Sequence, residues 1–223
     1  MKTISLIPSI LIFFILFSLN GCSSLSRDAA GQVEISPGIT VRLPLPESLG
    51  SQLTASQLIQ ANWTTKQGEK QSNQLPVRLQ VSPGQIAVAG FSSWGTRLTS
   101  LKYQVDDAGK VEIQTQTLPG LQGQLPDPKQ ILLNLMLTLW PQEAWEKSLQ
   151  PIHWHMIDHD KQRIITDNQG NKIIIINYDQ PQPLDGNIQF TNLKIGYEIR
   201  IKTVQYQIQG RNGSKQQSSN GKD

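Results

Sequence analysis

Only one segment of this chain has a helical period, and the period of two on both sides of it restricts the fold to a sheet with a single helical insertion. That segment is DPKQILLNLMLTLWPQEAWEKSL, residues 127–149. Asp127 can cap the first turn, Pro128 suits the first helical position, and apolar residues recur at 131, 132, 135, 136 and 139. Pro141 ends this helix and opens a second one that carries Trp145 and Leu149. Alternation and β-branched residues predict strands over 33–42, 58–65, 75–81, 85–91, 97–105 and 111–117 before the helices. After them, strands are predicted over 152–157, 162–166, 172–178, 187–195 and 197–209. Ser82-Pro83-Gly84, Asp106-Asp107-Ala108-Gly109 and Asp167-Asn168-Gln169-Gly170 have hairpin lengths, so the strands run antiparallel. The last stretch, 210–223, is polar without period and predicts a disordered tail.

Ten or eleven antiparallel strands with one helical insertion predict a mainly β fold, a strongly curved sheet whose concave face the helices cover. A curved sheet under a lid encloses space. The helix is apolar over more than one stripe, with Leu132, Leu133, Leu135, Met136, Leu137, Leu139 and Trp140 all present, so one side can meet the sheet while another faces a cavity. Candidate wall residues are Trp63, Phe91, Leu101, Tyr103, Leu132, Met136, Trp140, Trp154, Ile174, Ile176, Tyr178 and Phe190. Each could equally be ordinary core, because small barrels are often filled by side chains and the pattern does not fix which strand face points inward.

Ahead of the strands, Lys2 precedes an apolar run over 4–19, short for a bilayer span and suited to a signal peptide over 1–21. Leu19-Asn20-Gly21-Cys22 holds the only cysteine of the chain. It resembles the lipobox of bacterial lipoproteins, although Asn20 is an uncommon occupant of its position. The resemblance implies a lipidated Cys22 at the start of the mature protein, anchored by several acyl chains because one binds only marginally. An ordinary signal peptide with a cysteine by chance at the cut is the other reading. Ser23 stands where an aspartate would resemble an inner-membrane retention signal, which implies the outer membrane, with the domain facing the periplasm. Residues 22–32 are small and polar and predict a tether to one domain over 33–209. Of the 20 Lys and Arg, all but Lys2 fall after residue 21, against 17 Asp and Glu. So small and evenly spread an excess does not argue for a nucleic-acid partner and supports at most a slight preference for anionic lipid head groups.

Three stretches in this order, LPDPKQILLNLMLTLWP (125–141), RIITDNQGNKIIIINY (163–178) and GNIQFTNLKIGYEIRIKT (186–203), resemble LolB-like outer-membrane lipoproteins. The closest resemblance is to a lipoprotein family encoded beside aryl-polyene pigment biosynthesis genes. It implies an unclosed antiparallel half barrel with a helical lid over an apolar cavity that accepts acyl chains. It further implies lipid or lipoprotein cargo, an aryl-polyene lipid among the candidates, transfer to the outer membrane, and a periplasmic LolA-like carrier as partner. Such transfer needs a dry container and no catalytic group, cofactor or metal. A structural or assembly lipoprotein with a filled interior is the alternative.

Two further features are expectations of a different kind. In HWHMIDHD, His153 and His155 would lie two apart on one strand face, near His159 and Asp160, as a metal pair or acid-base group requires. With no third ligand elsewhere and no nucleophile motif, exposed strand histidines are the favoured reading. In FSSWGTR, Trp94-Gly95 falls at a hairpin tip, where the indole either projects or folds back over the sheet edge. Resemblance to the LolB hairpin implies a membrane-insertion tip at Trp94.

Overall fold

The period-2 segments pair into one antiparallel sheet of eleven strands, and the first of them becomes a separate hairpin. The computed structural model describes residues 31–64, 68–122, 124–210 and 213–217; the expected signal peptide, Cys22 and all of the tether before Gly31 lie outside them. In chain order the elements are β1 (Gln32–Ser36), β2 (Ile39–Arg42), β3 (Gln52–Thr64), β4 (Lys70–Ser82), β5 (Gln85–Phe91), β6 (Arg97–Val105) and β7 (Val111–Thr117). The helices α1 (Pro128–Leu139) and α2 (Gln142–Leu149) follow. Then come β8 (His155–His159), β9 (Gln162–Thr166), β10 (Lys172–Tyr178), β11 (Asn187–Asn192), β12 (Tyr197–Gly210) and β13 (Gly213–Gln217).

The order across the sheet is β7-β6-β5-β4-β3-β12-β11-β10-β9-β8, with β13 beside β12. Its outermost strands, β7 and β8, do not pair with each other, so the sheet is an open half barrel. Strand ends slip steadily across it. Gly90, near the end of β5, lies opposite Val77 of β4, whereas Tyr197, at the start of β12, lies opposite Trp63, which in turn faces Gln71 of β4. Stagger of this kind accompanies tilted strands in a curved sheet.

Alternation gives the sheet two chemically different faces. In β5, Ile86, Val88 and Gly90 are buried while their neighbours are half-exposed. Leu101 and Tyr103 of β6, Ile174 and Ile176 of β10, Ile188 and Phe190 of β11, and Ile199 and Ile201 of β12 point the same way into one core. Pro76 interrupts β4 where it costs little, because β5 begins to pair only at Val77. Asp127 caps α1 by accepting from the Lys129 backbone N–H at 2.9 Å, and Pro128 takes the first position.

Four expectations are corrected. Residues 33–42 form a hairpin, because Pro37-Gly38 turns the chain with Gly38 at φ 74°. Residues 152–157 do not form one strand; Gln150–Ile152 is a 3-10 turn and β8 begins at His155. The strand over 187–195 ends at Asn192, whose side chain caps the next turn by accepting from Lys194 and Ile195. Gly213–Gln217, expected in an unpaired tail, pairs with Tyr206–Gly210 of β12.

Candidate functional site

Helix α1 lies on the inward face of the sheet with the β1–β2 hairpin on its other side. Ile131 to Thr138 are all buried, eight consecutive positions, so α1 is enclosed all round rather than half-exposed. No backbone ladder ties it to the sheet. Side-chain hydrogen bonds hold it instead. At its N-terminal half, Gln130 Nε2 donates to the Glu34 carbonyl at 2.6 Å, and Tyr197 Oη donates to Asn134 Oδ1 at 3.2 Å. At its C-terminal end, Tyr178 Oη donates to the Thr138 carbonyl at 3.0 Å, and Trp140 Nε1 donates to the Leu45 carbonyl at 3.2 Å.

Arg163 of β9 completes the attachment. Its Nη1 donates to the Leu137 and Trp140 carbonyls at 2.6 and 2.8 Å, while Nε and Nη2 grip both oxygens of Asp158 at 2.6 and 2.7 Å. A cation at the carbonyl end of a helix meets the negative end of its dipole. Burial opposes the charge, but the Asp158 hydrogen bond and carboxylate outweigh it and raise the guanidinium pKa further. The sequence reading missed Arg163. The signal it could have used is a basic residue on the inward parity of an otherwise apolar strand, RIIT.

Ten of the twelve candidate wall residues come together around α1. Leu101, Tyr103, Ile174, Ile176 and Phe190 line the sheet side, Leu132, Met136 and Trp140 belong to α1 and its end, Trp154 is buried beside α2, and Tyr178 packs at the margin. Trp63 and Phe91 do not join them. Trp63 has the inward parity of β3 but lies beyond the reach of α1, 39% exposed, and Phe91 is half-buried at the end of β5. As folded, the space is full. Tyr103, Leu132, Met136, Trp140, Ile174, Ile176 and Phe190 show no accessible surface, so no void large enough for a water touches them. Phe190 stacks on Tyr197 with ring centroids 5.9 Å apart. Burial pushes the Tyr103 and Tyr178 hydroxyls up to about 12.

The expected histidine pair is not assembled. His153 stands outside β8 in the left-handed region at φ 55°, and His155 opens the strand, so they do not share a strand face. His159 Nδ1 approaches only Asp160 Oδ2, at 3.6 Å, with both side chains in solvent. Trp94 projects. It is 93% exposed at the β5–β6 turn. Ser92 Oγ accepts from the backbone of Trp94 and Thr96 at 3.3 and 3.1 Å and Gly95 takes φ 82°, so this turn is held without the indole.

Among the described residues, no helix is long and apolar enough to cross a membrane, which leaves membrane crossing by strands unaddressed. No curated protein matches the chain. Among solved structures, a domain assigned to outer membrane lipoprotein sorting in Vibrio parahaemolyticus is similar at 11% identity, TM-score 0.37, over 72% of this chain and 86% of that one. A LolA superfamily protein from Nitrosomonas europaea is similar at 9% identity, TM-score 0.31, over 73% and 89%. A DUF1329 family protein from Desulfovibrio piger gives 5%, 0.33, 81% and 95%. Residues 54–205, from β3 into β12, match the family described as protein of unknown function (DUF3261), and because that span exceeds half the chain, the protein belongs to this family.

Proposed function

We propose that this protein binds acyl chains or lipid-modified cargo in the trough now filled by α1, and passes them to the outer membrane, to which Cys22 anchors it with the domain facing the periplasm. The observation that carries this reading is α1 itself, an apolar rod buried all round yet attached to the half barrel by side chains alone. A trough that holds a helix is wide enough for an acyl chain. The magnitudes also match. Fully burying each large apolar side chain of α1 is worth ~1.5–3 kcal/mol, so exposing Ile131, Leu132, Leu133, Leu135, Met136 and Leu137 costs on the order of 10 kcal/mol. A palmitoyl-length chain at ~0.8 kcal/mol per CH₂ returns a similar amount, so exchange of helix for lipid is nearly balanced. An aryl-polyene lipid, apolar and extended, is one cargo of suitable shape, and a LolA-like periplasmic carrier is a suitable donor. The reaction has no catalytic step.

The full interior favours a second reading, a structural or assembly lipoprotein whose trough never opens. One experiment separates the two. The full chain purified from membranes is titrated with a fluorescent palmitoyl probe, and co-purified lipid is identified by mass spectrometry. Saturable uptake that rises when Tyr178→Phe removes the bond to the Thr138 carbonyl supports lipid binding. A protein that takes up no probe and carries no lipid supports the structural reading.

A further inference from the structure

Eight large apolar side chains stay exposed among the described residues, and five of them, Trp63, Trp94, Leu118, Leu193 and Ile195, gather at one end of the sheet. Their exposure runs from 39% at Trp63 to 93% at Trp94, so burial in the fold does not explain them. Antiparallel pairing sets the end they share. Tyr197 lies opposite Trp63 and Asn192 opposite Tyr197, which brings the β11–β12 turn beside the end of β3. Phe91 lies opposite Arg97 and Thr99 opposite Thr117, which brings Trp94 and Leu118 to the same end.

The β11–β12 turn is rigid, which makes its apolar residues fixed projections. Asn192 Oδ1 accepts from Lys194 and Ile195 at 3.1 and 3.0 Å, the Leu193 N–H donates to the Ile173 carbonyl at 2.8 Å, and the Gly196 N–H closes on the Asn192 carbonyl at 2.9 Å. Leu193 and Ile195 are thus held in solvent by a turn with satisfied backbone groups. Between this turn and the β3–β4 hairpin lies a shallow depression of about 560 Å³, bordered by Trp63, Lys70, Leu193 and Tyr197, with Glu198 on the same wall.

Charge divides the two ends of the sheet. At the apolar end, Lys70, Arg97, Lys172 and Lys194 flank the turns, against Glu69, Asp167 and Glu198. At the other end the turns carry Asp106, Asp107, Asp160, Asp179 and Asp185 against Lys110 and Lys161. One end is therefore apolar with a slight excess of cations, the other acidic.

We propose that the apolar end is a two-point docking face for a bilayer containing anionic phospholipid, with Trp94 as one contact and the Leu193–Ile195 turn together with Trp63 as the other. Indole rings settle at the head-group layer, aliphatic turn residues reach the acyl boundary, and the flanking lysines and arginine meet anionic head groups. A single tip would leave the domain free to swivel. Two tips on different hairpins fix its tilt and hold the acidic end away from the membrane. The proposal is independent of lipid uptake: a protein that docks in this way yet takes up no acyl probe leaves it standing and removes the lipid-binding reading.

The test uses the full chain reconstituted into phosphatidylethanolamine vesicles with phosphatidylglycerol and brominated acyl chains, read by tryptophan quenching. Trp140, Trp145 and Trp154 are at most 5% exposed and supply an unquenched background. Trp94→Phe should remove about half of the quenched emission and Trp63→Phe much of the remainder, since both rings lie at the interface. The pair Leu193→Glu and Ile195→Glu should lower quenching of Trp63 while the melting temperature holds, and exchanging phosphatidylglycerol for phosphatidylcholine should weaken both signals. If Trp63→Phe and the double glutamate variant leave quenching unchanged in folded protein, the second contact does not exist. Absence of any quenching overturns the docking face altogether. Equal quenching on uncharged vesicles overturns the electrostatic part.

Discussion

At the scale of single residues, Arg163 has the largest predicted effect. It is the buried cation on which the last carbonyls of α1 and both oxygens of Asp158 converge. Arg163→Met should cost ~3–5 kcal/mol in urea unfolding, because removing one partner leaves buried carbonyls unpaired. Asp158→Asn keeps one acceptor but leaves the Arg163 guanidinium, 7% exposed, without its counter-charge, so it should cost ~2–3 kcal/mol. The buried tyrosines set a pH limit. Tyr103 and Tyr178 ionise near 12 in the folded chain, whereas an unfolded tyrosine ionises near 10. Below pH ~10 both states keep the proton and these groups impose no slope; as pH rises from about 10 to 12 only the unfolded state loses it, so stability falls. Urea midpoints from pH 9 to 11.5 should decline, and Tyr178→Phe should flatten the decline. Trp94 lies at the other extreme. Its turn is closed by Ser92 and Gly95, so Trp94→Glu should change stability by no more than ~0.5 kcal/mol. Under the proposed role, delivery of a lipid probe to liposomes should nonetheless drop. Melting and delivery measured on the same preparation distinguish a membrane contact from an unused surface tryptophan.

At the scale of elements, α1 differs from every strand in how it is held. Strands are fixed by backbone ladders, whereas α1 relies on packing, five polar side chains and the Asp127 cap. Asp127→Ala should cost ~1 kcal/mol by exposing orphan amides of the first turn. If α1 is the mobile element, the same change should speed probe uptake; uptake unchanged at equal loss of stability would mean that lipid enters elsewhere. The sequence made α1 legible because cap, proline and apolar spacing all lie within one short window. It made β5, β6, β7, β9 and β10 legible to the residue for the same reason. It misread the hairpin at 33–42, because Pro37-Gly38 can interrupt a strand or turn it, and only the partner strand decides. It began β3 and β4 too late, at Leu58 and Leu75 rather than Gln52 and Lys70; the start of β4, with Gln71 and Asn73, shows no apolar alternation and owes its strand form to pairing with β3.

For the whole molecule, the contrast between ladder and plug predicts how the fold opens. Amides of β3, β4 and β12, each held by long pairings near the middle of the sheet, should exchange only on global unfolding. Amides of α1 should exchange through a smaller opening, at a free energy well below the global value, and a bound acyl chain should shift that gap. Exchange of α1 only with the sheet would show that the interior is a permanent core. The proposed anchor belongs to this scale too. Cys22→Ser should block processing and release; cleaved product that still fractionates with membranes would remove the lipid anchor from the proposal.

What the sequence determined alone was local: the order of strands and helices, the lone cysteine behind an apolar run, and a tryptophan at a turn. Each is written in a few neighbouring residues, where period, capping and turn chemistry act. What the tertiary structure decided depends on residues far apart. Leu132 and Trp63 are both apolar residues in regular elements; one has no accessible surface and the other stands at the rim, because α1 spans only part of the trough. Leu193, Ile195 and Trp94 become one end of the molecule only through strand register. Arg163 reaches the end of α1 only because β9 folds back beneath it. Period specifies which side of a strand is apolar, but packing alone specifies what covers that side, and here it is a helix held by side chains rather than by another sheet.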